Sequence, residues 1–362
     1  LLLFFKKEDF PFLTCCMPEI TLTPLHPGLA PRWSALQSVA LPSPFLTWTF
    51  ISRQIARFAA PHLLAVREAG EDLALAVVNR AAGRLFLHES GDPAVDAIFI
   101  EHNGLLCRRG AASVLVPALR NLAAVAPVVL AGVDDAHWRA ACKAGLVVRH
   151  QARFAPALEL SGLSGDFLAT LSANARSQIR RSMRLHGADL SLAHAADGAE
   201  ALDYFNEMVA LHQTAWQARG APGAFADPVL RAFHKDVLLA AVPRGEADML
   251  RVTAAGATVG LLYQLRQGGH VCCYQSGFAA AADARLKPGL VCHTLAIEHY
   301  RAMGAAVYDF LAGPDRYKLT LARGGGQTLH WFTLHPSGSW AGRARKIAEA
   351  VVTRLRASAR LP

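Results

Sequence analysis

The sequence has no uninterrupted apolar run of the roughly 18–20 residues that a membrane span needs, although 52% of its 362 residues are hydrophobic. The excess is Ala and Leu spread through amphipathic segments, so a globular chain with no membrane crossing is expected. Cysteine is scarce and poorly placed for metal or redox chemistry. None of the seven falls in a C-x-x-C pair, and Cys15-Cys16 and Cys272-Cys273 are adjacent residues that rarely bridge each other. This spacing argues against a structural zinc site and fits a reducing cytoplasm, so no metal ligands are expected. Also missing are G-x-G-x-x-G after a strand, G-x-x-x-x-G-K-[ST], H-E-x-x-H and G-x-S-x-G. Their absence removes the dinucleotide fingerprint, the P-loop, the zinc-protease helix and the nucleophile elbow. Fifteen histidines are present, yet none pairs with another at ligand spacing near acidic residues.

Acidic residues are outnumbered, 28 against 37 basic ones, for a net charge of +9. More than half of that excess sits at the end, where Arg343, Arg345, Lys346, Arg354, Arg356 and Arg360 face only Glu349. The body is mildly basic, which argues against nucleic acid as a partner. Ile347, Val351 and Leu355 recur at helical spacing, so residues 343–362 read as a basic amphipathic helix. Such a helix packs on its own protein, or meets an acidic membrane or RNA.

At the other end, LLLFFKKEDFPFLTCC lacks a Met and places its apolar block before its lysines, the reverse of a signal peptide. Residues 1–16 are expected to be a non-native leader or a loose tail. The remainder suits two domains. Residues 17–160 read as helix, strand meander, helix, strand, helix, strand, with a helix over 44–58 and strands at 62–66, 73–78, 84–88 and 97–101. Ser161-Gly-Leu-Ser-Gly-Asp166 is a polar hinge. Residues 161–342 repeat the order, with helices over 167–185, 199–219 and 229–241 and strands at 249–254, 258–265 and 270–278. The fold class is α/β of the α+β type: two tandem units, each a mixed, largely antiparallel sheet flanked by helices.

The most structured signal is Lys287 to Ala322. A helix opens after Pro288 and closes at Gly304. A short strand follows from Ala305 to Leu311, then the breakers Gly313 and Pro314, then a helical run carrying Tyr317 and Lys318. The amino end of a helix leaves backbone N–H groups unpaired, which suits a phosphate. Asp309 lies in an apolar run, where an unpaired carboxylate is costly, so it needs a partner such as Arg316 or a role as base or substrate anchor. Arg176, Arg180 and Arg184 line one helix face, as a solvated face or as an anion site.

YQSGF (Tyr274 to Phe278), KPGL (Lys287 to Leu290), YDFLAG (Tyr308 to Gly313) and RYKLTLA (Arg316 to Ala322) resemble the tandem GNAT-type N-acyltransferases of the CelD-like and FemAB-like branch. ANARSQIRRSMR and LHQTAWQARGAPGAF resemble the same family's first helices. The first half resembles it by element order, as a degenerate GNAT-like unit. The resemblance implies a cleft between the strands flanking the long helix, filled by acetyl-CoA or another acyl-CoA. Its cofactor-binding residues here would be Tyr274, Ser276, Gly277, Arg285, Lys287, Gly289, Leu290 and Val291. It implies Tyr317 as the acid for the leaving thiolate, although a core tyrosine has the same signature, and Lys318 as a phosphate or substrate contact. Arg176, Arg180, Trp216 and Arg219 would bind acceptor. His293 reads as a base or as structural. The usual phosphate signature [RQ]-x-x-G-x-[GA] is absent, because Arg285 to Gly289 has one residue too many and Val291 replaces a small residue. An aminoacyl-tRNA donor of the Fem kind, or a non-catalytic binding protein, therefore stays open beside the main reading. That reading is a cytoplasmic acyltransferase acting on an amine or hydroxyl of a small-molecule or sugar-type acceptor, in polysaccharide or cell-envelope synthesis.

Overall fold

The computed structural model describes residues 18–281, 283–313 and 315–358, so the leader at 1–16 lies outside the described residues. In the first unit the chain runs β1 (Glu19–Pro24), α1 (Leu29–Val39), α2 (Trp48–Ile55), β2 (Pro61–Glu68), β3 (Glu71–Ala81), β4 (Arg84–Leu87) and β5 (Leu106–Cys107). It continues with α3 (Leu115–Val125), β6 (Val128–Val133), α4 (Asp135–Ala144) and β7 (Leu146–Glu159). The second unit begins with α5 (Ala173–His186), β8 (Ser191–His194), α6 (Gly198–Gln217), α7 (Pro228–Ala241), β9 (Ala247–Ala254), β10 (Ala257–Gln267) and β11 (His270–Phe278). It ends with α8 (Pro288–Ala302), β12 (Val307–Asp309), α9 (Arg316–Leu321), β13 (Gly326–His335) and α10 (Trp340–Ser358).

Polar residues with short side chains start most of these helices. Thr47, Asp134, Ser172, Asp197 and Asp227 each accept an amide of the first turn. Two expected helices are broken by such caps: Thr47 separates a 3-10 turn at Pro44–Leu46 from α2, and Ser172 separates Phe167–Thr170 from α5. The run 97–101 is not a strand. Ile98 and Ile100 are buried, but Asp96 ties back to Ser90 and Gly91 and holds the segment as a loop. Four elements, the short strands β1, β5 and β8 and the eleven-residue helix α1, were not legible in the sequence.

Among the described residues, thirteen strands join one sheet in the order β1-β2-β3-β4-β6-β13-β7-β12-β11-β10-β9-β8, with β5 on β3. Of the strand pairs described there, β4·β6 and β11·β12 are parallel and the rest antiparallel. The units exchange strands in the middle. β13 returns from the second unit to lie between β6 and β7, and β7 is long enough to pair with β13 and then, at Ala157 to Glu159, with β12. One face of the second unit's sheet carries α5 and α8. The other carries α6 and α7, whose core includes Phe45, Phe50, Ile98 and Ile100 of the first unit. The terminal helix α10 packs on β7, where Glu349 accepts the Arg149 amide. The side chains of Val351 and Leu355, part of its expected apolar stripe, lie outside the described residues.

Candidate active site

β11 and β12 stay together for only three positions, His270↔Val307, Val271↔Tyr308 and Cys272↔Asp309. Beyond them the strands part: the Phe310 amide turns to Pro156 O on β7, while β11 runs on beside β10 to Phe278. At the parting, the β10 register steps from Gln264↔Cys273 to Tyr263↔Gln275, leaving Tyr274 as the extra residue of a bulge. The Tyr274 side chain faces away from α8, stacked on Phe99 at 4.6 Å within a buried cluster. What it offers the cleft is therefore its backbone.

α8 begins at the open end. No side chain caps it, Pro288 has no N–H, and the first helical bond runs from Val291 N to Lys287 O. Gly289 and Leu290 thus supply the free amides of the first turn. Phe278 lies across this end, and a Cβ on Gly289 or Gly260 would meet its ring at 3.2 Å or 2.6 Å. A cavity of about 260 Å³ opens beside the turn, lined by Leu286, Pro288, His186, Thr258, Val259 and Ala279 among others. Arg285 reaches its carboxylate neighbour Asp283, and the Lys287 amide donates to Ser182 Oγ on α5. Val291 is buried, and Leu290 is partly buried against the core under α8. A roomier cavity of about 380 Å³ lies away from these residues, between α4, β7 and α10.

Inside the cleft, on the α8 face, His293 Nδ1 lies 3.0 Å from Tyr308 Oη and its ring stacks on Tyr317 at 5.2 Å. Burial, aided by Lys318, lowers the His293 pKa to about 3, so the imidazole is neutral. Its Nε2 has no hydrogen-bond partner. Burial pushes the Tyr317 phenol well up, which keeps it a proton donor.

The opposite face holds Asp309, only 1% exposed. Its partner is not Arg316. Oδ1 accepts the Leu311 amide at 2.7 Å, and Oδ2 lies 3.0 Å from His102 Nε2 and 3.4 Å from His270 Nε2. Burial would raise this carboxyl, but the two histidines outweigh it and hold it well below the usual range. Next door, Glu101 Oε2 accepts the Ala312 amide, and Lys318 Nζ donates to the carbonyls of Leu311 and Ala312 at 3.3 Å. Segment 310–313, the far wall of the cleft, is therefore fixed at nearly every polar atom.

Sequence reasoning missed Glu101, His102, His270 and Cys272. The available signals were His270 and Cys272, two apart on one strand face, and the turn sequence His102-Asn103-Gly104. His102 itself has φ +50°, and Asn103 pins the loop through His88 at 2.8 Å and the Leu87 carbonyl. Of the expected acceptor residues, Trp216 and Arg219 sit together at the end of α6, the guanidinium 5.6 Å from the indole. Near them His212 Nδ1 contacts Ser276 O at 3.1 Å, and Gly277 passes against Met208. Arg176 and Arg180 lie on α5, across the sheet, bonded to Ala169 O and Asp166. The two pairs do not meet.

Residues 173–319 match the acetyltransferase (GNAT) domain family. The second unit is a GNAT acyltransferase domain. The tandem arrangement also has counterparts among solved structures. FemX aligns with a TM-score of 0.59 at 10% identity, covering 87% of this chain and 97% of that one. A conserved protein of unknown function from Bacteroides thetaiotaomicron gives 0.52 at 10% identity over 87% and 100%. L-PGS from Bacillus licheniformis gives 0.50 at 11% identity over 92% and 98%. At these identities the likeness is one of fold: a Fem-like pair of GNAT units. No curated protein matches the chain.

Proposed function

We propose that this GNAT acyltransferase takes its acyl group from acyl-CoA, acetyl-CoA being the simplest donor, and passes it to an amine, or a hydroxyl, of a small-molecule or sugar-type acceptor. The observation that supports this most is the parting of β11 from β12 beside the bulge at Tyr274, with the uncapped start of α8 at the open end. Pantetheine is a chain of amides, and a freed strand edge is its natural partner. The pyrophosphate takes the Gly289 and Leu290 amides, with Lys287 and Arg285 adding charge. The acceptor nitrogen attacks the thioester carbonyl, the C–N bond forms, and the C–S bond breaks. Backbone N–H at the bulge faces the developing oxyanion; Tyr317 gives its proton to the departing sulfur, and the proton released by the acceptor nitrogen passes through solvent to restore the phenol, so that amide and free thiol are the products. Asp309 and Lys318 act as anchors of the 310–313 wall. Trp216 and Arg219 receive the acceptor from the α6 side; Arg176 and Arg180 stay with the α5 face. A cytoplasmic setting in polysaccharide or cell-envelope synthesis follows by analogy with the family.

Calorimetry with acetyl-CoA and longer acyl-CoAs tests the donor. Binding of one or more is expected, and binding of none of them removes acyl-CoA from the reading. Tight, salt-sensitive binding of aminoacyl-tRNA in its place moves the donor to the Fem type. Tyr317→Phe is expected to lower kcat roughly 100-fold, the scale of one lost transition-state donor, with donor affinity unchanged. An unchanged kcat removes Tyr317 from the chemistry.

A further inference from the structure

Three distant points of the chain meet in one buried cluster. A donor atom from each of His102, His270, Cys272 and Asp309 lies within 4.8 Å of all the others. His102 comes from the first unit's loop, His270 and Cys272 from β11, and Asp309 from the end of β12. Three of the six separations have the size of a coordination edge, and the rest stay within 4.8 Å. Bonds of about 2.0–2.1 Å to nitrogen, 2.0–2.2 Å to oxygen and 2.3 Å to sulfur, set tetrahedrally, give edges of about 3.3 Å between N and O and about 3.6 Å between N and S. The His270 Nε2 to Asp309 Oδ2 edge is 3.4 Å, His270 Nε2 to Cys272 Sγ is 3.5 Å, and His102 Nε2 to Asp309 Oδ2 is 3.0 Å.

His102 is more than nine-tenths buried, and beyond its 3.0 Å ion pair with Asp309 Oδ2 its Nε2 has no hydrogen-bond partner. A cation between the two would serve both buried atoms at once. The outer contacts fit a ligand set as well. Asp309 Oδ1 is taken by the Leu311 amide, which leaves Oδ2 for the centre. The Gln327 amide stands 3.3 Å from His102 Nδ1, and with its oxygen turned to the ring it accepts the Nδ1 proton and aims Nε2 inward.

We propose that His102, His270, Cys272 and Asp309 bind one divalent transition metal ion of the zinc class, which clamps the loop of the first unit to the parting strands of the second. Two imidazoles and a thiolate select such an ion over magnesium or calcium, and thiolate plus carboxylate neutralise its charge. Four protein ligands close the shell, the pattern of a structural site. The site would form whichever acyl donor fills the cleft. Its ligands are paired by a sheet and a loop rather than by chain spacing, so no C-x-x-C marks it.

The test uses the full chain, without a histidine tag, stripped with a chelator and titrated with zinc and with cobalt(II). The expected result is one equivalent bound, a higher unfolding temperature with zinc, and for cobalt the intense visible bands of a tetrahedral ion plus a thiolate charge-transfer band. Cys272→Ser should lose the charge-transfer band, and His102→Ala should weaken zinc binding at least 10-fold. Cys292→Ser, a buried thiol outside the cluster, should change neither. Circular dichroism of the variants checks that they fold, and the wild-type titration decides the matter even where they do not. Failure of the wild-type chain to bind zinc or cobalt overturns the proposal. So does undiminished binding by folded Cys272→Ser and His102→Ala chains.

Discussion

Replacing Asp248 by Asn should destabilise the protein by roughly 3 kcal/mol, with a pH dependence of defined sign. The carboxylate is 2% exposed and takes three donors from three elements: His194 Nε2 of β8 at 2.8 Å, Arg266 Nη1 of β10 at 2.6 Å and Tyr300 Oη of α8 at 2.9 Å. Removing one partner of a buried ion pair costs about 3–5 kcal/mol. The Arg266 and His194 side chains keep 22% and 37% exposure, so water relieves part of that and the lower end applies. Burial would raise Asp248, but His194 and Arg266 outweigh it and its pKa is lowered. Its contribution is therefore present above the ordinary carboxylate value of about 3.9 and lost as pH falls through the folded value. His194 is raised by its bond to Asp248. Its share is complete below about 6.5 and lost as pH rises through the raised value. The wild-type advantage should peak between about pH 4 and 6.5 and shrink on the alkaline side. Urea unfolding at pH 5.5 and pH 8 reads it as a midpoint shift of about 1–2 M. A difference under about 1 kcal/mol at pH 5.5, or one that grows toward pH 8, would refute the reasoning.

Other perturbations probe the ground around the cleft. Gly277→Ala places a Cβ 2.4 Å from Met208 O, a backbone atom that cannot swing aside. A loss of about 1–3 kcal/mol is expected, and an unchanged urea midpoint would show that α6 and β11 are not in firm contact. His234 is fully buried and lowered to about 3 by burial, so below about pH 6.5 the unfolded chain takes up a proton that the folded chain refuses. His234→Phe should remove about 1.4 kcal/mol of acid destabilisation per pH unit in that range; parallel stability profiles for the two proteins would rule this out. Residues 161–362 expressed alone leave β13 without β6 or β7 and β12 without its outer neighbour. No cooperative unfolding transition is expected of that piece, and a sharp one would mean that the second unit closes its own sheet.

The long elements were legible because each carries its own evidence. α8 has Pro288 at its start and Gly304 after its end, and β9 to β11 alternate between tight turns. The short ones were not, because neighbours rather than propensity hold them. β8 has four residues and exists through its pairing with β9. Segment 97–101 has a strand's composition, but the bonds from Asp96 make it a loop. The site divides in the same way. Tyr317, Asp309 and the start of α8 fall within one continuous stretch. His102 is more than two hundred residues from Asp309 in the chain, and no local pattern joins them. The need for a partner to Asp309 was visible from its apolar surroundings; the identity of that partner was not.

The strand exchange gives the first unit a physical role in the cleft of the second. Two parallel strands part easily only if each has another neighbour, since an unpaired edge at depth is costly. β11 has β10, and β12, three residues long, has β7. Without β7, β12 would have only β11 to hold it, and opening the cleft would strip the strand. The same long strand carries β13 back into the first sheet, so the wall at 310–313 is braced by Pro156 and Phe154 from behind and by Glu101 from the side. The first unit is thus necessary to the geometry of the second, through the backbone pairing of β7 with β12 and β13 and through one loop.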